Sequence, residues 1–594
     1  MTVANTQSFR ELLGPQQTVS DPAELLTYEF DAGLEHGLPD GVLFPHSASD
    51  VVKIVTWAGR NKVTLVARGA GTGTSGGAVA EGGGIVVEFA RMNRILEFSV
   101  PDRIRVEPGV VNAALDEYLQ LHGVFYPPDP ASGRVCTLGG NIAENAGGPL
   151  CFKYGVTTNY VTGLQVVLAD GRLVQFGGDA LDLPDYDWVG ILTGSEGTLG
   201  IITQANLRLL RRPMATTMLM AAFDTVQRAG EAVSDILAHG LVPATIEMMD
   251  QTIVRIVEEY SHIGLPVDAG AVLIIQVDGY DDSLPIQVEE ISAVLRDHRV
   301  RELNLAETDE ERERIWRARK DSAGALARLA PAYYASDCTV PRSKIAITLQ
   351  EITHLCDAHG IPVNYLLHAG DGNLHPNYMV ADAGDQELMA RIRSVEAQVL
   401  AFCVRQGGSI TGEHGIGLER RRFMPLMYNG DELQTMRDVK GIFDPHELFN
   451  PGKIFPEPLP APLPLPSVGE PPISPFAPES VEGAVAAIRA WLAGQSPRRL
   501  RVRGGGTKSA LLPPSDVVLS TAHFAGIRAR SAEDYFVTAG AGTPLAQIQE
   551  ELERDQMWVP LISPWAEATL GGIVSSNFNA PLRMRYGYGG IRDL

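Results

Sequence analysis

The chain contains two copies of one Gly-rich segment, and that repetition limits what it can fold into. RVRGGGTKSALL (Arg501 to Leu512) echoes VARGAGTGTSGG (Val66 to Gly77). FVTAGAGTPLAQIQEEL echoes RVEPGVVNAALDEYL, ATLGGIVSSNFNAP echoes CTLGGNIAENAGGP, and RYGYGG echoes KYGVTT. Order and spacing agree: 71 residues separate Arg68 from Gly139, and 68 separate Arg503 from Gly571. Four ordered matches predict a duplicated α/β unit. The second copy runs to Leu594 with no counterpart of GSEGTLG (Gly194 to Gly200), so it is expected to be incomplete.

The rest of the chain sorts around these copies. Residues 40–210 alternate short Val/Ile/Leu runs with helical stretches and Gly-rich turns, an α/β layout. Residues 215–455 read as a separate α+β domain. Within it, Thr308 to Arg328 forms a long charged helix, with Thr308 and Glu311 spaced as a capping box. Residues 364–380 read as a hairpin. The stretch FPEPLPAPLPLPSVGEPPISPFAP is Pro-rich and nearly uncharged, which predicts a stiff linker. The expected domains are therefore 1–212, 213–455, a linker over 456–478 and a partial second copy over 479–594.

A net charge of -23 argues against nucleic acid as a partner, because a phosphate backbone requires a basic surface. It leaves room for an anionic substrate held in a local basic pocket. Five scattered cysteines without a CxxC predict reduced thiols, not an iron–sulfur or zinc framework. No apolar run approaches the length of a membrane span, and Met1 to Arg10 lacks a secretory layout. A cytoplasmic protein is expected, at most peripheral at the inner face of the membrane.

Two constellations carry chemistry. In RGAGTGTSGG the glycines let the main chain approach a ligand, and successive N–H groups can form an anion-binding nest. Gly71, Gly73 and Gly76 have the G-x-G-x-x-G spacing, but not as the motif that opens a helix in a dinucleotide fold, and no Walker lysine follows. The competing reading of this motif alone is a flexible loop. In HAGDGNLHP (His368 to Pro376), a two-residue turn at Asp371-Gly372 would set His368 directly opposite His375. GEHGIG (Gly412 to Gly417) offers Glu413 as a third ligand. Two His and one carboxylate with open positions suit Zn²⁺ or Fe²⁺. The competing reading is a hairpin whose His side chains bond to backbone.

PPDPAS…TLGGNIAENAGG (Pro127 to Gly148) and GSEGTLGI (Gly194 to Ile201), taken with the first motif, resemble the FAD enzymes related to vanillyl-alcohol oxidase. FDPHELFNPGKIF (Phe443 to Phe455) is similar to the closing signature of that family. The resemblance covers residues 1–455. It implies a two-part FAD-binding domain, a substrate- and metal-binding α+β domain whose tail (443–455) returns to the flavin, and a partial second FAD-type domain. The fold class is thus α+β. It implies that FAD is held by Arg68, Gly69, Ala70, Gly71, Thr72, Gly73, Thr74, Ser75 and Gly76. Further contacts are implied at Pro127, Asp129, Gly139, Gly140, Asn141, Asn145, Gly147 and Gly148, then at Glu196, Gly197, Gly200 and Ile201, with Asn450 approaching the flavin. No His or Cys lies between Arg68 and Gly77, so the FAD is expected to be non-covalent.

The His and Glu motifs resemble those of D-2-hydroxyacid dehydrogenases, particularly the main flavin subunits of glycolate oxidases and the D-lactate dehydrogenases. That resemblance implies His368, His375 and Glu413 as metal ligands, His414 as the base and Arg319 as the partner of the substrate carboxylate. For Arg319 the competing reading is a solvated helix charge. Lys320 and Asn377 are implied as further substrate contacts. A lysine of the hydroxyglutarate enzymes falls at Ala335 here, which favours a shorter acid such as glycolate or D-lactate. The C-terminal copy resembles the start of the second flavin subunit of glycolate oxidase. This implies a separate iron–sulfur subunit that takes the electrons towards quinone. Rival readings are a D-2-hydroxyglutarate dehydrogenase, an alkyl-glycerone-phosphate-type enzyme, or a non-catalytic flavin subunit.

Overall fold

The apolar runs between the Gly-rich turns become short buried strands, and the strands place the turns. The computed structural model describes residues 9–99, 101–179, 186–326, 328, 332–382, 384–461, 476–493, 499–507 and 515–576. The chain divides into two units, 1–462 and 463–594.

The first unit opens with a four-stranded sheet in the order Thr18–Val19, Gly41–Leu43, Ile85–Glu88, Leu65–Arg68, parallel apart from its first member. The helix Ala48–Asn61 covers it, capped by the Ser47 hydroxyl, which accepts from the Asp50 N–H at 3.3 Å. Its buried Val51, Ile54, Val55 and Ala58 pack on Leu65, Ile85 and Val87. A second sheet, antiparallel, runs Ile95–Ser99, Arg103–Val106, Ile201–Arg208, Val161–Val167, Leu173–Gly177. The tail returns to the first sheet: the Leu65 N–H donates to Leu448 O and the Asn450 N–H to Leu65 O, both at 2.8 Å.

Residues 215–380 supply an eight-stranded antiparallel sheet. Its main path is Glu302–Leu305, Ala215–Phe223, Ala271–Gly279, Thr245–Asp250, Val363–His368, Asn373–Val380, Ala332–Ala335. The period-2 alternation of strand side chains divides two cores. On Thr245–Asp250, Ile246 and Met248 face Val226–Ala238, Ile345–His359 and Gln386–Arg405. Met249 faces the helices Gln251–Ser261 and Asp309–Leu326. The latter starts at the expected capping box: the Glu311 N–H donates to Thr308 Oγ1 and the Thr308 N–H to Glu311 Oε2, each at 3.2 Å. A cap of this kind is worth about 1 kcal/mol.

The second unit repeats the opening of the first. Leu500–Arg503 pairs in parallel with Val517–Ser520, Ile527–Ser531 forms a hairpin with Phe536–Ala539, and the helices Leu545–Glu553 and Leu570–Ser576 follow. Its close approaches are the same too. A Cβ on Gly69 would sit 2.2 Å from Thr137 Oγ1, and one on Gly504 would sit 2.2 Å from Thr569 Oγ1. One sheet differs. Arg103–Val106 pairs on its far side with Ile201–Arg208, whereas among the described residues Phe536–Ala539 pairs with Ile527–Ser531 alone. Residues 462–475 of the expected linker (456–478), residues 508–512 and the RYGYGG echo lie outside the described residues.

Candidate active site

A cavity in the first unit is walled by backbone at one end and by ionisable side chains at the other. Arg68, Gly69, Ala70, Gly71, Thr72, Gly73 and Thr74 line it directly after the strand Leu65–Arg68. Gly139, Gly140 and Asn141, at the start of the helix Leu138–Glu144, form the facing wall, and Glu196, Gly197 and Gly200 form a third. Glu413 and His414 close the end. Of the lining side chains, Thr74 Oγ1, Thr137 Oγ1 and Glu144 Oε2 are buried with no hydrogen-bond partner among the described residues. Buried polar atoms ordinarily have partners, so a polar ligand fits here.

Glu196 joins the glycine walls to the His414 loop. Its Oε1 accepts from the Ile416 N–H at 2.8 Å and its Oε2 from the Gly417 N–H at 2.7 Å. Asn450 and Lys453 fasten the walls from behind. The Asn450 amide donates to Gly77 O at 2.9 Å and Glu196 O at 2.8 Å. Lys453 Nζ donates to Gly77 O, Val79 O and Asn450 Oδ1.

The ionisable end is built on the sheet. Glu247 lies directly opposite His368 in the ladder, and the Glu247 Oε1 to His368 Nδ1 distance is 2.8 Å. His368 Nε2 is 3.1 Å and His375 Nε2 is 3.3 Å from the same oxygen, Glu413 Oε1. His375 Nδ1 lies 3.2 Å from Ser336 O. The donor atoms of His368, His375 and Glu413 lie within 4.8 Å of one another, and so do those of Asp337, His375 and His414. The His375 and His414 rings stack, with centroids 5.1 Å apart. Burial opposes ionisation of Glu413, but His368 and His375 override it and hold the carboxyl well below its usual range. For Glu247, His368 and Arg319 override burial in the same way.

Asp337 shapes the loop that carries Glu413 and His414. Its Oδ2 accepts from the N–H groups of Gly412 (2.8 Å), Glu413 (3.2 Å) and His414 (3.0 Å), and from the Thr411 hydroxyl (2.5 Å). Neither Glu247 nor Asp337 is visible in a motif. They lie far along the chain from the residues they serve.

Residues 212–454 match the family described as "FAD linked oxidases, C-terminal domain", and residues 39–177 and 475–591 match the one described as "FAD binding domain". The chain is 39% identical over 452 residues to glycolate oxidase subunit GlcD of Escherichia coli (strain K12), covering 76% of this chain and 90% of that one. The chain belongs to the FAD-linked oxidases. It is also 31% identical over 461 residues to D-2-hydroxyglutarate dehydrogenase of Stutzerimonas stutzeri (strain A1501), covering 75% and 98% of the two chains. In fold, this FAD-linked oxidase resembles p-cresol methylhydroxylase at a TM-score of 0.63 and 14% identity, covering 76% of this chain and 96% of that one. The FAD-binding fold of the vanillyl-alcohol oxidase type is thus present, in two segments.

The hairpin register differs from the expected one, and several of the residues expected to touch FAD do not line the cavity of this oxidase. His368 lies opposite Asn373, and His375 opposite Leu366. The loop 369–372 has four residues, not two, because the Gly370 N–H donates to Ile246 O and Asp371 Oδ1 accepts from the Asn373 N–H. The slip is two positions, so both His stay on one face, diagonal neighbours with ring centroids 5.2 Å apart. Asn450 is behind the cavity wall and its amide is engaged by carbonyls. Ser75, Gly76, Pro127, Asp129, Asn145, Gly147, Gly148 and Ile201 are likewise not among the lining residues. Gly147 instead packs on the metal-ligand candidate: a Cβ there would lie 3.0 Å from Glu413 Oε2. Thr137, Glu144 and Ser195 line the cavity and were legible only as neighbours of the glycine motifs.

Arg319 is buried, with its Nε bonded to Glu247 Oε2 and its Nη1 3.4 Å from Ser322 Oγ. It is therefore not a solvated helix charge. Lys320, one residue on, is exposed, with Nζ 5.8 Å from the centre of the Trp316 ring, and its charge acts on the buried Asp129 carboxyl. Asn377 is buried, and its amide donates to His375 O at 3.1 Å. Among the described residues no helix is long and apolar enough to cross a membrane.

Proposed function

We propose that the chain oxidises a small D-2-hydroxy acid, glycolate or D-lactate, to the 2-oxo acid. The observation that carries this reading is that Glu413 and His414 line the same cavity as the glycine walls. The names of its relatives point to the same chemistry. FAD, bound non-covalently between those walls, supplies the two-electron acceptor.

A divalent cation, Zn²⁺ or Fe²⁺, held by His368, His375 and Glu413, would supply Lewis acidity that lowers the pKa of the substrate hydroxyl. The donor set fits it. Each Nδ1 faces an acceptor, Glu247 Oε1 or Ser336 O. With a cation bound, neutral rings would donate their Nδ1–H to those acceptors, leaving both Nε2 lone pairs and the Glu413 carboxylate for the cation.

The protein's own residues then have distinct tasks. Arg319 presents a charged fork to the substrate carboxylate, steadied by Glu247. His414 takes the hydroxyl proton. Burial, reinforced by His375, holds its imidazole below the usual range against the pull of Asp337, which keeps it neutral and able to accept. Ala335 lies directly opposite Asn377, on the same face of the sheet. The absence of a long cation at that position favours a short acid over a dicarboxylate. Electrons then pass to a separate iron–sulfur protein or to quinone. Residues 479–594 hold no second FAD.

Turnover of glycolate, D-lactate and D-2-hydroxyglutarate with an artificial acceptor tests the reading. Glyoxylate or pyruvate should form faster than 2-oxoglutarate. Preferential oxidation of the dicarboxylate would overturn the short-acid assignment.

A further inference from the structure

We propose that Glu144 is a neutral carboxylic acid whose O–H donates a hydrogen bond to the redox-active ring system of FAD. Glu144 is the last residue of the helix Leu138–Glu144, whose first turn supplies Gly139 and Gly140 to the cavity wall. Its side chain lines the same cavity, yet Oε2 is buried and has no partner among the described residues. An unpaired buried oxygen of this kind is costly unless a ligand completes it.

The surroundings decide which carboxyl of the local pair carries the proton. Glu196 accepts two backbone N–H bonds, from Ile416 and Gly417, and both favour its ionised form. Glu144 has no such donors. It also sits at a helix C-terminus, where the dipole disfavours negative charge. Lys453 is near, but its three N–H bonds go to Gly77 O, Val79 O and Asn450 Oδ1. Asp31 adds a further acidic neighbour. Burial, Glu196 and Asp31 all push the Glu144 carboxyl well above its usual range against the pull of Lys453. An acid that is neutral at working pH is a hydrogen-bond donor, a role an ionised carboxylate cannot play.

The position indicates which part of FAD it meets. A Cβ on Gly415 would lie 2.5 Å from Glu144 Oε2, so this oxygen adjoins the residue after His414. The oxidised carbon must meet the flavin ring beside His414, so Glu144 stands at the ring end; this step rests on the function proposed above. A donor there stabilises the electron-rich reduced ring more than the oxidised one.

The test is the midpoint potential of FAD in the wild-type, E144Q and E144A holoenzymes, measured by dye-coupled reduction without substrate. E144A should lose about tenfold in its preference for reduced over oxidised FAD, about 30 mV for a two-electron couple. E144Q still donates and should stay near wild type. An unchanged E144A, or an E144Q that shifts as far as E144A, would overturn the proposal. Infrared difference spectra on photoreduction of the wild type guard against an unstable variant. A protonated carboxyl band should move on reduction and vanish in E144Q, and its absence from the wild type would refute the assignment. Neither readout uses a hydroxy acid. Failure of the substrate reading would appear separately, as a flavin that these acids leave oxidised.

Discussion

At one end of the cavity, Gly69 lies so close to Thr137 that a Cβ would meet its hydroxyl at 2.2 Å. At the other, His368 and His375 aim their Nε2 atoms at one oxygen of Glu413. The first region is shaped by backbone, and its side chains matter chiefly by being absent. The second is shaped by side chains, each held by a buried partner: Glu247 for His368 and Arg319, Asp337 for the loop of Glu413 and His414. This contrast predicts separable losses. Damage to the glycine walls should remove flavin and activity together. Damage to the side-chain cluster should remove activity and leave flavin in place.

The largest effect is expected from Gly69→Val, whose side chain cannot fit against Thr137. FAD should be lost on desalting, and turnover with it. Gly504→Val, at the matching close approach in the second unit, should leave the visible flavin spectrum unchanged, with one FAD per chain. A flavin-to-protein ratio near two would break the contrast between the copies. Removing the cation with a chelator should reduce turnover to background with the flavin spectrum intact, and Zn²⁺ or Fe²⁺ should restore it. His414→Ala should lower kcat by about 10²–10⁴-fold, the usual contribution of a general base, at full FAD occupancy. If His414→Ala emptied the flavin site, the two regions would not be separable.

These regions were not equally legible in the sequence. Glycines that permit close approach recur in clusters, so RGAGTGTSGG could be read as a ligand cradle from its own residues, and TLGG and GSEG joined it through the family resemblance. The helix start at Thr308 and Glu311 could be read from a local hydrogen-bond pattern. The shared face of His368 and His375 survived a wrong turn length because the register slipped by two positions. Glu247 and Asp337 had no local signal. Their function comes from the sheet ladder, which sets Glu247 opposite His368, and from the contact between residues 337 and 411–414. Asn450 clamps the carbonyls of Gly77 and Glu196, a task its motif does not distinguish from a ligand contact.

Smaller effects sharpen the side-chain half of the contrast. Glu247→Gln keeps the shape but weakens the hold on both His368 and Arg319. Metal affinity or kcat should fall by about 10–100-fold, with FAD content unchanged by absorbance. Lys320→Ala should be the mildest. An exposed charge over Trp316 is worth up to about 1 kcal/mol, so KM should change by no more than about fivefold. A larger rise would place Lys320 on the substrate after all.

The most direct measurement is anaerobic mixing of the FAD-loaded protein with D-lactate or glycolate, followed by the visible flavin band. The wild type should bleach, and His414→Ala, carrying the same flavin, should remain yellow. A wild-type flavin that dithionite bleaches but none of these acids does would contradict the account.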